Sequence, residues 1–252
     1  MSKIALITGA TAGIGEACAY TFAEQGYHLI LTGRREQRLE SIAHDLQTKY
    51  GIEVKILAVD VRDQREITYR LETLPDHWKK VEVLINNAGL SQGLEPVNQG
   101  NFEDWDTMID TNIKGLLYVT KIVSNWMIAH KKGHIINIGS IAGKEVYPNG
   151  NVYCATKHAV DALNKAMRID LLPHGIKVTA IHPGMVETEF SVVRFKGDEG
   201  RAKKVYDGFD PLMAQDIAET IWFVVSRPAH VNINDLLIMP TAQANGTLVK
   251  RD

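Results

Sequence analysis

Tyr153 and Lys157 stand four residues apart in the string Tyr-Cys-Ala-Thr-Lys, a spacing that puts a phenol and an ammonium on one face of a helix. A free phenol titrates near about 10 and moves protons poorly at neutral pH, but a cation beside it favours the phenolate and lowers that value. The pair is a candidate proton-transfer unit, although the same spacing arises on many helices that do no chemistry. Ser140 precedes Tyr153 by thirteen residues, and the segment between them holds Gly143, Pro148, Asn149 and Gly150. A loop of that composition can set the Ser140 hydroxyl beside the phenol, where it would hold a substrate oxygen as charge develops. The plainer reading of Ser140 is an N-cap or turn at a strand end. Asn112 lies in an apolar stretch, where an amide is costly without partners. It either joins a proton relay or is a satisfied core amide.

Thr8-Gly9-Ala10-Thr11-Ala12-Gly13-Ile14-Gly15 follows an apolar run and opens an amphipathic segment. Glycine suits such a tight turn because it lacks Cβ, which lets backbone N–H groups approach a pyrophosphate at a helix N-terminus. The spacing is GxxxGxG rather than the GxGxxG fingerprint, so its strand-before, helix-after context carries most of the signal. Where an acid would take a ribose 2′-hydroxyl, at the end of the second apolar run, the chain reads Thr32-Gly33-Arg34-Arg35. Two guanidinium forks suit a 2′-phosphate, which predicts NADP(H) over NAD(H). The alternative is that Arg34 and Arg35 open a solvated helix with Glu36 and Glu40 as partners. Asp60-Val61 ends the third run, with Asp60 facing an adenine amino group or capping the next helix, and Asn86-Asn87-Ala88-Gly89 ends the fourth beside the expected crevice.

Positioning these residues requires a particular set of elements. Runs rich in Val, Ile and Leu at 3–8, 28–32, 54–59, 81–86, 134–139, 177–182 and 236–239 alternate with helical spacing near 14–25, 36–49, 63–73, 102–130, 152–171 and 214–226. That alternation predicts an α/β fold, a Rossmann-type doubly wound parallel sheet of about seven strands flanked by helices on both faces. Gly26, Gly51, Gly133 and Gly175 fall where left-handed helix caps are expected. Two longer segments, 89–100 and 185–211, follow strands and should build the binding face, the second as a partly helical lid. With no repeat, linker or low-complexity tract, residues 1–252 read as a single domain.

Composition excludes several classes of function. The chain has 252 residues, 45% hydrophobic and 23% charged, with a formal charge of −2. Nothing asks for nucleic acid or a membrane surface, so a small metabolite is the expected partner. The opening apolar run is four residues long, shorter than a leader core of about 7 to 15, which predicts a cytoplasmic protein. Cys18 and Cys154 are isolated, and His158, His174, His182 and His230 lack ligand spacing, so no metal is implied.

Taken together, TGATAGIG at 8–15, NNAG at 86–89, Asn112, Ser140, YCATK at 153–157 and PGMVET at 183–188 resemble the short-chain dehydrogenase/reductase family, in order and over almost the whole chain. The resemblance implies an NADP(H)-dependent enzyme with an Asn112, Ser140, Tyr153, Lys157 tetrad. In it Tyr153 exchanges a proton with the substrate oxygen and Ser140 positions that oxygen. Lys157 lowers the Tyr153 pKa and holds the nicotinamide ribose, while Asn112 holds a water that links Lys157 to solvent. Gly9, Thr11, Gly13, Ile14, Gly15, Arg34, Arg35, Asp60, Val61, Asn87, Ala88 and Gly89 would contact the cofactor with Tyr153 and Lys157, and Pro183, Gly184, Val186 and Thr188 would line its nicotinamide end.

Within the family, the strings at 188–198, 228–234 and 239–241 resemble the branch of NADP-dependent 3-hydroxy acid dehydrogenases acting on serine, allo-threonine or 3-hydroxypropionate-type compounds. Arg194 is the best placed cation for the carboxylate of such a small acid, with a plain lid-surface role as the alternative. A sulfoacetaldehyde (isethionate) reductase fits the same cation. A 3-oxoacyl carrier-protein reductase fits less well, because the chain lacks a Gly-rich close to its last strand, and a non-catalytic NADP sensor would need neither Tyr153 nor Lys157. Family precedent implies a homotetramer through helices near 102–130 and 152–171. The apolar residues Val160, Leu163, Met167 and Leu171 would serve such an interface or pack on the sheet.

Overall fold

Residues 3–252 are described by a computed structural model; Met1 and Ser2, at the start of the segment read for a leader, lie outside the described residues. The first half runs β1 (Lys3–Ile7), α1 (Gly13–Glu24), β2 (Tyr27–Gly33), α2 (Glu36–Tyr50), β3 (Val54–Ala58), α3 (Gln64–Glu72) and β4 (Val81–Asn86). After it come α4 (Phe102–Ile109), α5 (Leu116–His130), β5 (His134–Ile138), α6 (Asn151–Leu171) and β6 (Lys177–Pro183). The chain closes with β7 (Val186–Glu187), α7 (Phe190–Arg194), α8 (Glu199–Lys204), β8 (Leu212–Met213), α9 (Ala214–Val225) and β9 (Asp235–Ile238).

Seven strands form one parallel sheet in the order β3-β2-β1-β4-β5-β6-β9. Its strands read as apolar runs because both faces are covered. Ala5, Ile7, Leu29, Leu31, Val83 and Ile85 point into one core with residues of α1, α2 and α9. The intervening Ile4, Leu6, Ile30 and Leu84 point into the other, against α3, α5 and α6. Val160, Met167 and Leu171, with Leu163 beside them, belong to this second core, so the sheet takes the α6 face that was also a candidate interface. Strand order reverses between β1 and β4, and a crevice opens there at the carboxyl ends of the strands.

Three sequence expectations need correction in detail. The helix expected over 102–130 is α4 and α5 joined by one π-helical turn at Asp110–Gly115, an extra residue's worth of backbone that re-aims Asn112. Gly26, Gly51 and Gly175 have φ near +70° after their helices, but α5 ends at His130 and Lys131 takes the left-handed position instead. Gly133 serves close packing, since a Cβ there would strike the Met127 side chain. Asp63, not Asp60, caps α3, accepting from the Arg65 and Glu66 N–H groups. The segment 185–211 is partly helical as expected, carrying α7 and α8, and β7 pairs with β8 at its base.

Candidate active site

The crevice is a cavity of about 560 Å³. Of the residues expected to bind or act there, the structure brings all but two to its wall, among them Gly9, Thr11, Gly13, Ile14, Arg34, Arg35, Asp60, Val61, Asn87, Ala88 and Gly89, and on the opposite side Ser140, Tyr153, Lys157, Pro183, Gly184, Val186, Thr188 and Arg194. Gly15 and Asn112 lie behind the wall. Gly15 instead lets α1 close on the turn, because a Cβ would collide with the Gly9 carbonyl and the Asn87 amide. That amide donates to the carbonyls of Thr8 and Gly9 at 2.9 and 3.1 Å, which welds the end of β4 to the glycine turn. Gly9 and Gly13 hold φ of +67° and +57°, conformations that L side chains rarely adopt. The turn is thus a cradle with no side chain in the way, and it fits a dinucleotide pyrophosphate at the start of α1.

At the far end, Arg35 donates to the Thr11 hydroxyl and through Nη1 to Glu189 at 2.8 Å, while Arg38 Nη1 reaches the other Glu189 oxygen at 2.7 Å. The partner of Arg35 is therefore in the lid, not Glu36 or Glu40 of the helix it opens. Arg38 and Glu189 went unread in the sequence because only the fold brings them to Arg35. Asp60 turns its carboxylate to Arg62, with bonds of 3.0 and 2.7 Å. Burial alone would raise its pKa, but the Arg62 contacts hold it below the ordinary value.

Ser140 follows β5 and its Oγ accepts from the Ala142 N–H at 3.1 Å, so it does cap a short turn. The Tyr153 phenol lines the same cavity wall. Burial holds that phenol above its ordinary value, while the Arg194 guanidinium and the nearby Ser140 hydroxyl pull the other way. Arg194 centres 5.2 Å from the Tyr153 ring, whereas the Lys157 ammonium is 5.9 Å away and donates to the Ile138 carbonyl at 2.9 Å. Lys157, the cation expected to act on the phenol, thus stands beside the ring together with Arg194. Burial pushes Lys157 down to about 8. Asn112 accepts from Leu90 N–H at 2.9 Å and donates to Leu90 carbonyl and Thr156 hydroxyl at 2.8 and 3.0 Å, so both amide protons are used in tying the 89–100 loop to α6. Cys154 is buried beside Tyr153, Leu90 and Met108.

Arg194 enters the cavity from α7. Its guanidinium lies 5.0 Å from the Phe190 ring centroid and donates through Nη2 to the Tyr147 hydroxyl at 2.9 Å. Its Nε is buried without a partner among the described residues. Tyr147 and Phe190 were not singled out in the sequence, for lone aromatics carry no spacing signal. Elsewhere the fold assembles Asp161, His182 and Asp235, which the sequence leaves far apart, with ligand-type atoms within 4.8 Å of one another.

A dinucleotide cradle, a buried tyrosine–serine–lysine group and an aromatic-walled cation at one switch point define a nucleotide-dependent oxidoreductase site. The chain belongs to the short chain dehydrogenase family, whose model matches residues 3–198. It is 47% identical over 242 residues, 96% of each chain, to the NADP-dependent 3-hydroxy acid dehydrogenase YdfG of Escherichia coli (strain K12). Sulfoacetaldehyde reductase 2 of Chromohalobacter salexigens is 45% identical over 245 residues, 97% of this chain and 96% of that one. Among solved structures, the closed form of serine dehydrogenase complexed with NADP+ superposes with a TM-score of 0.92 at 47% identity, covering 99% of this chain and 100% of that one.

Proposed function

We propose that the protein transfers hydride between NADP(H) and a small 3-hydroxy acid or its carbonyl form. The observation that carries the substrate class is Arg194, a cation that lines the cavity against the Tyr153 ring and suits a substrate bearing an anionic group. The cofactor supplies the hydride when bound. Gly9, Gly13 and Ile14 cradle its pyrophosphate and Arg34 and Arg35 take its 2′-phosphate; Val61 and Ala88 flank its adenine end, and Pro183, Gly184, Val186 and Thr188 its nicotinamide end. Tyr153 gives its proton to the substrate oxygen during reduction, and Ser140 holds that oxygen in place. Lys157 holds the ribose and passes protons on, while Asn112 fixes the loop that walls this path. Similarity to YdfG and to serine dehydrogenase supports the hydroxy-acid reading.

A second reading, sulfoacetaldehyde reduction, is favoured by the 45% identity to such an enzyme, and Arg194 would pair with sulfonate as readily as with carboxylate. The test follows NADPH absorbance with NADP and NAD against L-serine, L-allo-threonine, 3-hydroxypropionate, isethionate and a neutral secondary alcohol. Turnover of the hydroxy acids with NADP is expected; isethionate alone would move the assignment to sulfonates, and the neutral alcohol alone would overturn the substrate class. Arg194→Ala should raise KM for the anionic substrates about tenfold or more and for the neutral alcohol far less. We also propose a cytoplasmic homotetramer.

A further inference from the structure

Behind Ser140, outside the cavity wall, His182 of β6 is fully buried and wired to charges on three other elements. Its Nε2 lies 3.1 Å from Asp235 Oδ2 on β9 and 3.6 Å from Asp161 Oδ1 on α6. Lys144, just past the turn that Ser140 caps, donates to Asp161 at 2.8 Å and Asp235 at 2.6 Å, and Lys165 donates to Asp161 at 2.6 Å. Two lysines thus balance two carboxylates, and the Lys144 ammonium sits where a metal ion would otherwise be needed. On its other side, His182 Nδ1 is 3.4 Å from the Ser140 backbone nitrogen and 3.2 Å from the Ser140 carbonyl oxygen. The ring reaches this position because residue 139 is glycine: a Cβ there would overlap it.

Burial opposes a charged imidazole here and, with the Lys144 ammonium, outweighs the pull of Asp235, the Ser140 backbone and Asp161. A neutral ring facing a carboxylate at Nε2 carries its proton on that nitrogen, which leaves Nδ1 with a lone pair. Nδ1 then accepts from the Ser140 N–H at 3.4 Å, whereas the other tautomer would donate to the Ser140 carbonyl at 3.2 Å. We propose that His182 is a positioning residue for Ser140, its tautomer set by Asp235 and Lys144, so that the serine hydroxyl is held at the cavity wall it shares with Tyr153. The inference rests on the reading of Ser140 as the group that holds the substrate oxygen. Loosening the Ser140 backbone costs little in substrate binding but misaligns a donor aimed at a developing charge, so the effect falls on the chemical step.

Two substitutions separate hydrogen bonding from packing. His182→Phe keeps the ring and removes both nitrogens, whereas His182→Asn loses the ring but keeps an acceptor at the place of Nδ1. The expected result is a fall in kcat of about tenfold to a hundredfold for the Phe variant, with KM and NADPH affinity within about threefold, and recovery of most of that loss in the Asn variant. A packing role alone would rank them the other way, and that order, or full turnover in His182→Phe, overturns the proposal. Should the Phe variant not fold, Asp235→Ala on the edge strand takes its place, with the same kcat loss expected and unchanged turnover counting against the idea. If Ser140→Ala itself retains wild-type turnover, the reading of Ser140 fails instead. The ¹⁵N spectrum of the His182 imidazole then decides independently of activity: the proton on Nε2 supports the positioning contact, and a proton on Nδ1 overturns it.

Discussion

Tyr153 and Lys157 pose opposite ionisation problems in one pocket. Burial keeps the phenol protonated well past neutrality, which suits a proton donor to a carbonyl, and Tyr153→Phe should cut reduction about a thousandfold while leaving NADPH affinity, read by fluorescence titration, close to wild type. Retained turnover would remove the donor assignment. Lys157 loses its proton near about 8 in the folded chain against 10.5 in the ordinary state. Between those values the unfolded chain holds a proton that the folded one has released, so this residue's contribution to stability rises with pH across the window; below about pH 8 the full cost of burying the ammonium is present. That cost corresponds to about 3 kcal/mol. Cofactor-free Lys157→Met should therefore resist urea better than wild type at pH 7, with the gap closing toward about pH 10.5. A gap that is absent, or that widens with pH, would show that the ammonium is solvated.

At the scale of elements, the link between the lid and the glycine turn passes through one carboxylate. Glu189, at the start of α7, bridges Arg35 and Arg38 at the place proposed for the 2′-phosphate. Being half exposed, these pairs add little to stability, but they put a negative charge where the cofactor's phosphate must come. Glu189→Gln should tighten NADPH binding several-fold and leave NADH binding unchanged, as measured by titration of the free enzyme. Weaker NADPH binding would mean that Glu189 orients the arginines rather than competing for them. Strands and helices were legible because burial on two faces writes itself into local composition: β4 is Val-Glu-Val-Leu-Ile-Asn, and it lies where it was expected. The glycine turn and the Tyr153–Lys157 pair were legible for the same reason, their geometry being set within a few residues. Glu189 lies 154 residues from Arg35, and its role was written only in the fold. The π-turn at Asn112 is a backbone deviation that hydrophobic spacing does not report.

Across the whole molecule, α5 and α6 already spend their inner faces on the sheet, through Val119, Val123 and Met127 on one and Val160, Met167 and Leu171 on the other. What remains outward is a smaller apolar set: Leu117 on α5, Ile169 on α6 and Leu172 just beyond it are exposed, the last two by 70% and 73%. Ile169 and Leu172, close together at the end of α6, suit a self-complementary contact, in which one patch meets its own copy across a two-fold axis. For the homotetramer proposed above, we therefore assign the contact to Ile169 and Leu172 rather than to Val160 or Met167. Light scattering of the wild type should give the mass of four chains, and Ile169→Glu with Leu172→Glu should reduce it to two or one without lowering the unfolding midpoint of the separated subunit. Wild-type protein that scatters as a single chain would overturn the assembly, and a tetramer indifferent to both charges would place its interface on another face.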